Sequence, residues 1–243
     1  MGNIYNQIKS KHFNDYGYEI IRSSLNTEYL SFESLMAQYF SEELSKYLSK
    51  ELILDNMSNY NELAKNNNLD HHGFISSISR KLPLKFQETE FVKKIINHSE
   101  DFIERKVKIV DNLVWFRICR PGFDDSNDLH RDHWFPNYND VLNLYVPISG
   151  SYCDSSMKIV PKSYKWSDKD VIPTFSGDSG LKYIKNGVHY SAPGIKYSEF
   201  EIIPHRPDIA TGDFMIFHPK SIHGGGDNYS DETRISLEIR IEL

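Results

Sequence analysis

The chain has 243 residues with a formal net charge of −6 at pH 7; 39% are hydrophobic and 13% aromatic. This is a globular composition, not a disordered one, and β-rich folds commonly reach this length as one domain, so we expect a single domain over residues 1–243. The acidic balance argues against nucleic acid and anionic membranes as partners, because both are bound through clustered Lys and Arg.

The two cysteines, Cys119 and Cys153, are too few for a disulfide framework or a thiolate zinc motif, which favours a reducing compartment. The start, "MGNIYNQIKS", lacks the apolar segment of a signal peptide, and no window approaches the roughly 18 apolar residues of a membrane span. We therefore expect a soluble cytoplasmic protein, whose oligomeric state stays open.

Residues 1–105 are predicted to be mainly helical. A short strand is expected over residues 16–23, and apolar residues recur at helical spacing over residues 27–52 and 86–106. No repeat or low-complexity linker separates this part from the rest of the chain.

Residues 106–243 change to short β-type runs separated by Gly, Pro, Asn and Asp. Strands are predicted over residues 110–119, 140–148, 156–160, 199–204, 213–219 and 233–243. Many short strands favour a sandwich or closed barrel, here an all-β core with flanking helices. Residues 173–197 are rich in glycine and weakly periodic, so we interpret them as a candidate lid.

The stretch "DLHRDHWFPN" places His130 and Asp132 two residues apart. About one such His-x-Asp pair is expected by chance, and a solvated turn explains this pair alone equally well. The rival pair His98 and Glu100 lies in a predicted helix, where residues two apart do not share a face, whereas on a strand they do. His130 and Asp132 are therefore the better candidate ligands.

A third ligand is predicted at His223, which is followed by three glycines that allow another backbone or a ligand to come close. Two His and one Asp form the facial triad of non-haem Fe(II), which leaves three coordination positions open. The ligand types therefore favour iron.

A polar face on the last strand supplies the next candidates, Arg234 and Ser236. The polar side chains of this strand are Arg234, Ser236, Glu238 and Arg240, and they alternate with Ile and Leu. An arginine fork suits the far carboxylate of a dicarboxylate co-substrate. The alternative is an amphipathic edge strand with its polar face in water.

The order His-x-Asp, strand, distal His and Arg-x-Ser resembles the phytanoyl-CoA dioxygenase family of Fe(II)/2-oxoglutarate oxygenases. The resemblance runs from about residue 112 to the C-terminus and includes "LYVPISG", "MKIVPKSYKWS" and "GDFMIFHPKSIHGGGDN", with a weaker match at "FNDYGYEIIRSSLN". Two positions depart from the family pattern: Lys162 stands where a Gly is usual and Tyr164 where a His is usual. These departures bear on the substrate, not on the iron.

The resemblance implies a double-stranded β-helix, or jelly roll, with the helices packed outside. It implies Fe(II) bound by His130, Asp132 and His223, and 2-oxoglutarate bound at Arg234 with help from Ser236. Asn143 and Tyr145 share one face of the strand after the iron motif and are expected to line the co-substrate pocket, by position and not by motif. It also implies an O2-dependent reaction that converts 2-oxoglutarate to succinate and CO2 while a small polar metabolite is hydroxylated. Asp132 favours hydroxylation over halogenation, because related halogenases carry Gly or Ala there.

Five further residues are candidate substrate contacts. Arg117 and Arg120 could hold an anionic group or be exposed strand-end charges. His133 and Trp134 could touch the substrate, or Trp134 could cap the core, and Lys162 marks the altered turn.

Three other histidines receive plainer interpretations. His71 and His72 lie in a predicted polar turn and are expected to be solvated, and His218 is expected to be packed or to contact a ligand residue, and not to be a ligand itself. Two functional alternatives stay open for the whole chain: a non-catalytic carbohydrate-type jelly-roll binding protein, and a cupin-like metal isomerase or epimerase.

Overall fold

The computed structural model describes residues 5, 8–78, 86–138, 140–185 and 188–243. Within them the α-helices are α1 (Lys11–Tyr16), α2 (Asn26–Leu48), α3 (Tyr60–Asn66), α4 (His71–Ile78) and α5 (Glu90–Ile103). The β-strands are β1 (Tyr18–Ile21), β2 (Lys108–Cys119), β3 (Val141–Ser149), β4 (Lys158–Ile159), β5 (Val171–Pro173), β6 (Tyr183–Lys185), β7 (Val188–Tyr190), β8 (Ile195–Ser198), β9 (Phe214–Phe217), β10 (His223–Gly224) and β11 (Arg234–Glu242).

Local capping explains where several helices begin and end. The Ser10 hydroxyl accepts a hydrogen bond from the Phe13 amide at the start of α1, and the Thr89 hydroxyl accepts one from Val92 at the start of α5. Gly17 ends α1 with a φ of 86°, a left-handed conformation that glycine adopts without strain. β1 follows directly, so α1 leads into the main sheet.

The main sheet has five antiparallel strands in the order β1-β9-β3-β11-β2. β11 is paired on both sides: Ser236 lies opposite Arg117 of β2 and opposite Pro147 of β3. Both edges of β11 are therefore hydrogen-bonded, and on its polar face Arg234 and Ser236 are buried. The edge-strand alternative for this segment is therefore wrong.

The helices pack against one face of this sheet. Phe40 of α2 meets Phe116 of β2 edge-to-face, with ring centroids 5.6 Å apart, and the Tyr29 hydroxyl donates a hydrogen bond to the Ile148 carbonyl. The apolar side chains of β11, such as Leu237, join this helix-side core. The predicted antiparallel β core with helices outside is thus confirmed, although the helices and the sheet share core residues across the predicted boundary at residue 105.

The opposite face of the sheet carries a second, smaller core. Tyr145 and Met215 pack there against Met157 and Ile159 of the β4 region. The short pairs β4–β10, β5–β8 and β6–β7 lie outside the five-stranded sheet. The polar face of β11 lies on this inner side.

Two predictions for the C-terminal half need correction. Residues 199–204 form no strand, whereas β8 ends just before them at Ser198. The segment 173–197, expected to be irregular, contains β6, β7 and β8 among its described residues, and residues 186 and 187 lie outside those described. Its role as a lid stays a prediction.

Candidate metal centre and co-substrate site

A reciprocal pair of backbone hydrogen bonds brings the distant parts of the triad together. The His130 amide donates to the His223 carbonyl at 2.8 Å, and the His223 amide donates to the His130 carbonyl at 2.9 Å. Gly224 makes this approach possible, because a Cβ there would lie 2.9 Å from the Asp128 carbonyl oxygen. The predicted need for glycine beside His223 is therefore explained by chain packing.

The three predicted ligands converge in a buried position. Asp132 Oδ1 lies 3.4 Å from His130 Nε2 and 3.7 Å from His223 Nε2, and one donor atom from each residue lies within 4.8 Å of the others. Each imidazole Nδ1 faces a backbone carbonyl, that of Asp128 at 2.8 Å and that of Ser221 at 3.0 Å. Because a carbonyl only accepts, each Nδ1 carries the proton and each Nε2 has a free lone pair.

The Asp132 carboxylate is held from its other side. Oδ2 accepts hydrogen bonds from Arg240 Nη2 at 2.7 Å and from Asn143 Nδ2 at 3.0 Å, which leaves Oδ1 for a metal. Burial alone would raise the pKa of this carboxyl, but Arg240 and the adjacent His223 and His130 hold it well below its usual value. Burial also lowers the pKa of His223 to about 4. Two imidazoles and an ionised carboxylate form a ligand set that suits a divalent transition metal.

These contacts give Asn143 and Arg240 a place beside Asp132. The Asn143 amide holds the carboxylate, and its part in binding the co-substrate stays a prediction. Sequence reasoning placed Arg240 on the polar face of β11 with Arg234 but gave it no role. Its position on the same strand face as Arg234 was the sequence signal that Arg240 could reach the site. Its contact with Asp132 could not be predicted, because it depends on a fold that joins residues 108 positions apart.

A small cavity beside the triad has the donors that a carboxylate needs. Its lining includes His130, His223, Tyr145, Arg234 and Ser236. Arg234 is 2% exposed; its Nη2 donates to the Cys119 sulfur, whereas Nε and Nη1 have no hydrogen-bond partner among the described residues. Ser236 Oγ is likewise buried and without a partner there. Buried donors of this kind are costly unless a ligand satisfies them, so the chemistry of these donors suits the distal carboxylate of a dicarboxylate.

A larger cavity of about 470 Å³ opens beside the triad. Its lining includes His130 and Asp132 together with Trp115, Tyr138 and Ser191, the last from the predicted lid segment. It is the natural place for a substrate, because it gives access to the metal ligands from outside.

Arg117 lines both cavities but is not a free cation. Its Nε lies 3.2 Å from Glu238 Oε2, and the same oxygen accepts from Arg240 Nη1 at 3.2 Å. Burial raises the pKa of Glu238, but Arg117 and Arg240 more than offset this and lower it, so the carboxylate stays ionised. The guanidinium predicted to hold an anionic substrate group is therefore already paired.

The remaining predicted substrate residues lie outside the described linings of both cavities. Arg120 forms a fork on Asp125, and His133 Nε2 lies 2.7 Å from Asp168. Trp134 packs against the Val160, Val171 and Ile222 cluster, which agrees with the core alternative.

Lys162 is exposed and its ammonium lies 5.5 Å from the centre of the Tyr16 ring. Its φ of 69° explains why glycine suits this turn in related sequences. The structure thus does not bring Lys162 to the site.

The sequence matches the family described as Phytanoyl-CoA dioxygenase (PhyH) over residues 53–236. The chain belongs to this family. The match begins well before residue 112, so the family's pattern includes part of the helical region. A search of curated protein sequences found no match to the chain.

Solved structures share the fold at low sequence identity. The epimerase SnoN, in complex with Fe3+, alpha ketoglutarate and nogalamycin RO, is 13% identical with a TM-score of 0.54, over 98% of this chain and 83% of SnoN. The alpha ketoglutarate dependent carbocyclase SnoK from nogalamycin biosynthesis is 12% identical with a TM-score of 0.56, over 99% and 86%. The non-heme monooxygenase ThoJ is 11% identical with a TM-score of 0.56, over 96% and 76%.

Membership of the phytanoyl-CoA dioxygenase family makes the chain an Fe(II)/2-oxoglutarate-dependent enzyme with a jelly-roll fold, and the predicted cofactors are confirmed at this level. Enzymes of this family act on small molecules. Among the described helices, none has the length and apolar character needed to cross a bilayer.

Proposed function

We propose that this chain hydroxylates a small polar metabolite, with Fe(II) held by His130, Asp132 and His223 and 2-oxoglutarate held by Arg234 and Ser236. The observation that carries this proposal is that Arg234 Nε and Nη1 have no hydrogen-bond partner among the described residues and that Arg234 lines the same cavity as both triad histidines. A binding protein has no use for buried, unpaired guanidinium donors next to a set of metal ligands.

The protein's part in the reaction is to hold and orient. Arg240 and Asn143 fix Asp132 so that only Oδ1 faces the histidines. Arg234 and Ser236 fix the distal end of 2-oxoglutarate, which sets the direction from which its other end reaches the metal. When bound, Fe(II) supplies the oxygen chemistry that is coupled to the decarboxylation of 2-oxoglutarate to succinate and CO2.

The larger cavity indicates the kind of substrate. The two guanidinium groups that line it belong to Arg117 and Arg240, and both are paired with carboxylates. Trp115 and Tyr138 add aromatic surface, and Ser191 adds a polar side chain. These features support a compact polar molecule held by hydrogen bonds and ring contacts, not by an ion pair with a free cation.

The first experiment tests the cofactor site. Anaerobic addition of Fe(II) and 2-oxoglutarate is expected to produce a weak visible charge-transfer band, and His223→Ala should lack it because a metal ligand is gone. The matched control is His98→Ala, on α5 and absent from both described cavity linings, which should keep the band. A band of equal strength in His223→Ala would contradict the ligand assignment.

The reaction type needs a second experiment, because SnoN is an epimerase that was solved with alpha ketoglutarate. The Arg-x-Ser pair that suits 2-oxoglutarate therefore does not separate hydroxylation from epimerisation. Metabolites that stimulate succinate formation should be turned over under 18O2, with mass spectrometry of the product. Incorporation of one 18O atom supports hydroxylation, whereas an isomer of unchanged mass favours epimerisation.

A further inference from the structure

Three side chains with no part in the proposed reaction meet on one wall of the larger cavity: His71, His72 and Asp125. The two histidines begin α4, and Asp125 lies in the loop after β2. The prediction that these histidines are solvated is wrong for His71, which is 4% exposed, and His72 is partly covered. Burying imidazoles and a carboxylate costs free energy unless these groups are hydrogen-bonded, paired or bound to a metal.

We propose that His71, His72 and Asp125 bind a second divalent transition-metal ion, of the class that prefers imidazole nitrogen with one carboxylate oxygen, such as Zn2+. His71 Nε2 lies 3.5 Å from Asp125 Oδ2, and His72 Nε2 lies 3.5 Å from Oδ1. These separations exceed those of good N–H···O hydrogen bonds. In the first triad both imidazoles lie near the same oxygen, Asp132 Oδ1, whereas here each imidazole lies near a different oxygen of Asp125. One ligand atom from each of the three residues still lies within 4.8 Å of the others, as in the first triad, and donors about 2.0–2.2 Å from one zinc ion lie at separations of this order.

A hydrogen bond behind His71 is compatible with the same assignment. The Tyr60 hydroxyl lies 2.9 Å from His71 Nδ1. In the tautomer in which Nδ1 donates to this hydroxyl, the lone pair is on Nε2, which faces Asp125. Burial lowers the pKa of His71 to about 4, so this imidazole is neutral at pH 7.

Arg120 decides how strong the second site is. Its Nε and backbone amide both donate to Asp125 Oδ2, at 2.8 and 3.0 Å, and its Nη2 donates to Oδ1 at 2.9 Å. Since each carboxylate oxygen has about two acceptor positions, Oδ1 keeps one for a metal. In the first triad Arg240 is bonded to Oδ2 of Asp132 and leaves Oδ1 to the histidines. The second site is therefore the weaker of the two, and its open coordination positions face the cavity, where oxygen atoms of a bound molecule can reach them.

The test is the Zn2+ stoichiometry of the full chain. The metal-free protein is dialysed against increasing Zn2+ and the bound metal is measured by mass spectrometry. The wild type is expected to bind two equivalents of Zn2+, the second more weakly. His72→Ala is expected to bind one. Because His72 is partly exposed, this substitution should leave the fold intact. His130→Ala should lose the tight equivalent and keep the weak one. The control His98→Ala should keep both.

One equivalent in the wild type, or two in His72→Ala, overturns the proposal. His72→Gln distinguishes an ion from a hydrogen-bonded network, because glutamine keeps a polar side chain but not the imidazole lone pair; retention of the second equivalent in this variant also overturns it. The first site has its own readout, since the Fe(II)/2-oxoglutarate band should persist in His72→Ala. Failure of the second site is thus distinguishable from failure of the proposed function.

Discussion

Replacing Arg234 by Met removes the proposed anchor for 2-oxoglutarate while filling most of the same buried space. Two of its donors, Nε and Nη1, have no hydrogen-bond partner among the described residues and are available to a carboxylate. Hydrogen bonds to charged groups contribute about 1.5–3 kcal/mol each, so losing two costs about 3–6 kcal/mol. At 1.4 kcal/mol per tenfold, the affinity for 2-oxoglutarate should fall by about a hundred- to ten-thousand-fold.

Iron binding should change far less, because Arg234 is not a ligand; about threefold or less is expected. Anaerobic titration of 2-oxoglutarate into the Fe(II)-loaded protein, followed by the visible band, measures the first affinity, and equilibrium dialysis of Fe(II) measures the second. Arg234→Lys keeps the charge but not the fork, so its affinity should lie between those of the wild type and Arg234→Met. Arg105→Met, which removes an exposed arginine, is the matched control.

Equal losses of iron and 2-oxoglutarate affinity in a folded Arg234→Met protein would refute the assigned role. An unchanged affinity for 2-oxoglutarate would refute it as well, since the donors would then satisfy something else. Far-UV circular dichroism of each variant establishes that the fold is retained.

Three further predictions concern stability. Burial lowers the pKa of His218 to about 3, and its Nδ1 accepts a hydrogen bond from the Lys220 amide. Below about pH 6.5 this histidine is therefore protonated in the unfolded chain but stays neutral in the folded chain. Stability should therefore fall as the pH drops from 6.5 toward 3, by about 1.4 kcal/mol per pH unit for this group, and urea unfolding of His218→Gln should show a flatter dependence. Phe40→Ala should cost about 3–5 kcal/mol in denaturant unfolding, because the ring joins α2 to Phe116, and a loss below about 1 kcal/mol would contradict that packing. Lys162→Gly should raise stability by up to about 1 kcal/mol in thermal unfolding, because the φ of 69° strains a lysine, and substrate-dependent succinate formation should not change.

Local patterns were sufficient for much of the fold. The apolar stripe of residues 27–52 predicted α2, and the polar and apolar alternation after residue 233 predicted β11, because side-chain periodicity reports directly on helix or strand geometry. The same approach misplaced a strand at residues 199–204. A segment of six residues carries too little periodicity to show whether it finds a pairing partner.

The residues of the candidate site likewise fall into those that local sequence patterns could predict and those that they could not. The order and spacing of His130, Asp132, His223 and Arg234 could be read from the chain, because each lies in a local pattern that fixes its face or its freedom of approach. The substrate contacts predicted for Arg117 and Arg120 were placed by sequence position alone. Both proved to be paired with carboxylates that no local rule could have selected.

The sequence by itself therefore determined which residue types could bind iron and a dicarboxylate, and in which order along the chain. Only the tertiary structure decided that Arg240 holds Asp132 and that two histidines of α4 meet Asp125 on one wall of the larger cavity. The physical reason is that periodicity assigns a side chain to a face, whereas its partner there is chosen by strand pairing and helix packing between segments far apart in sequence.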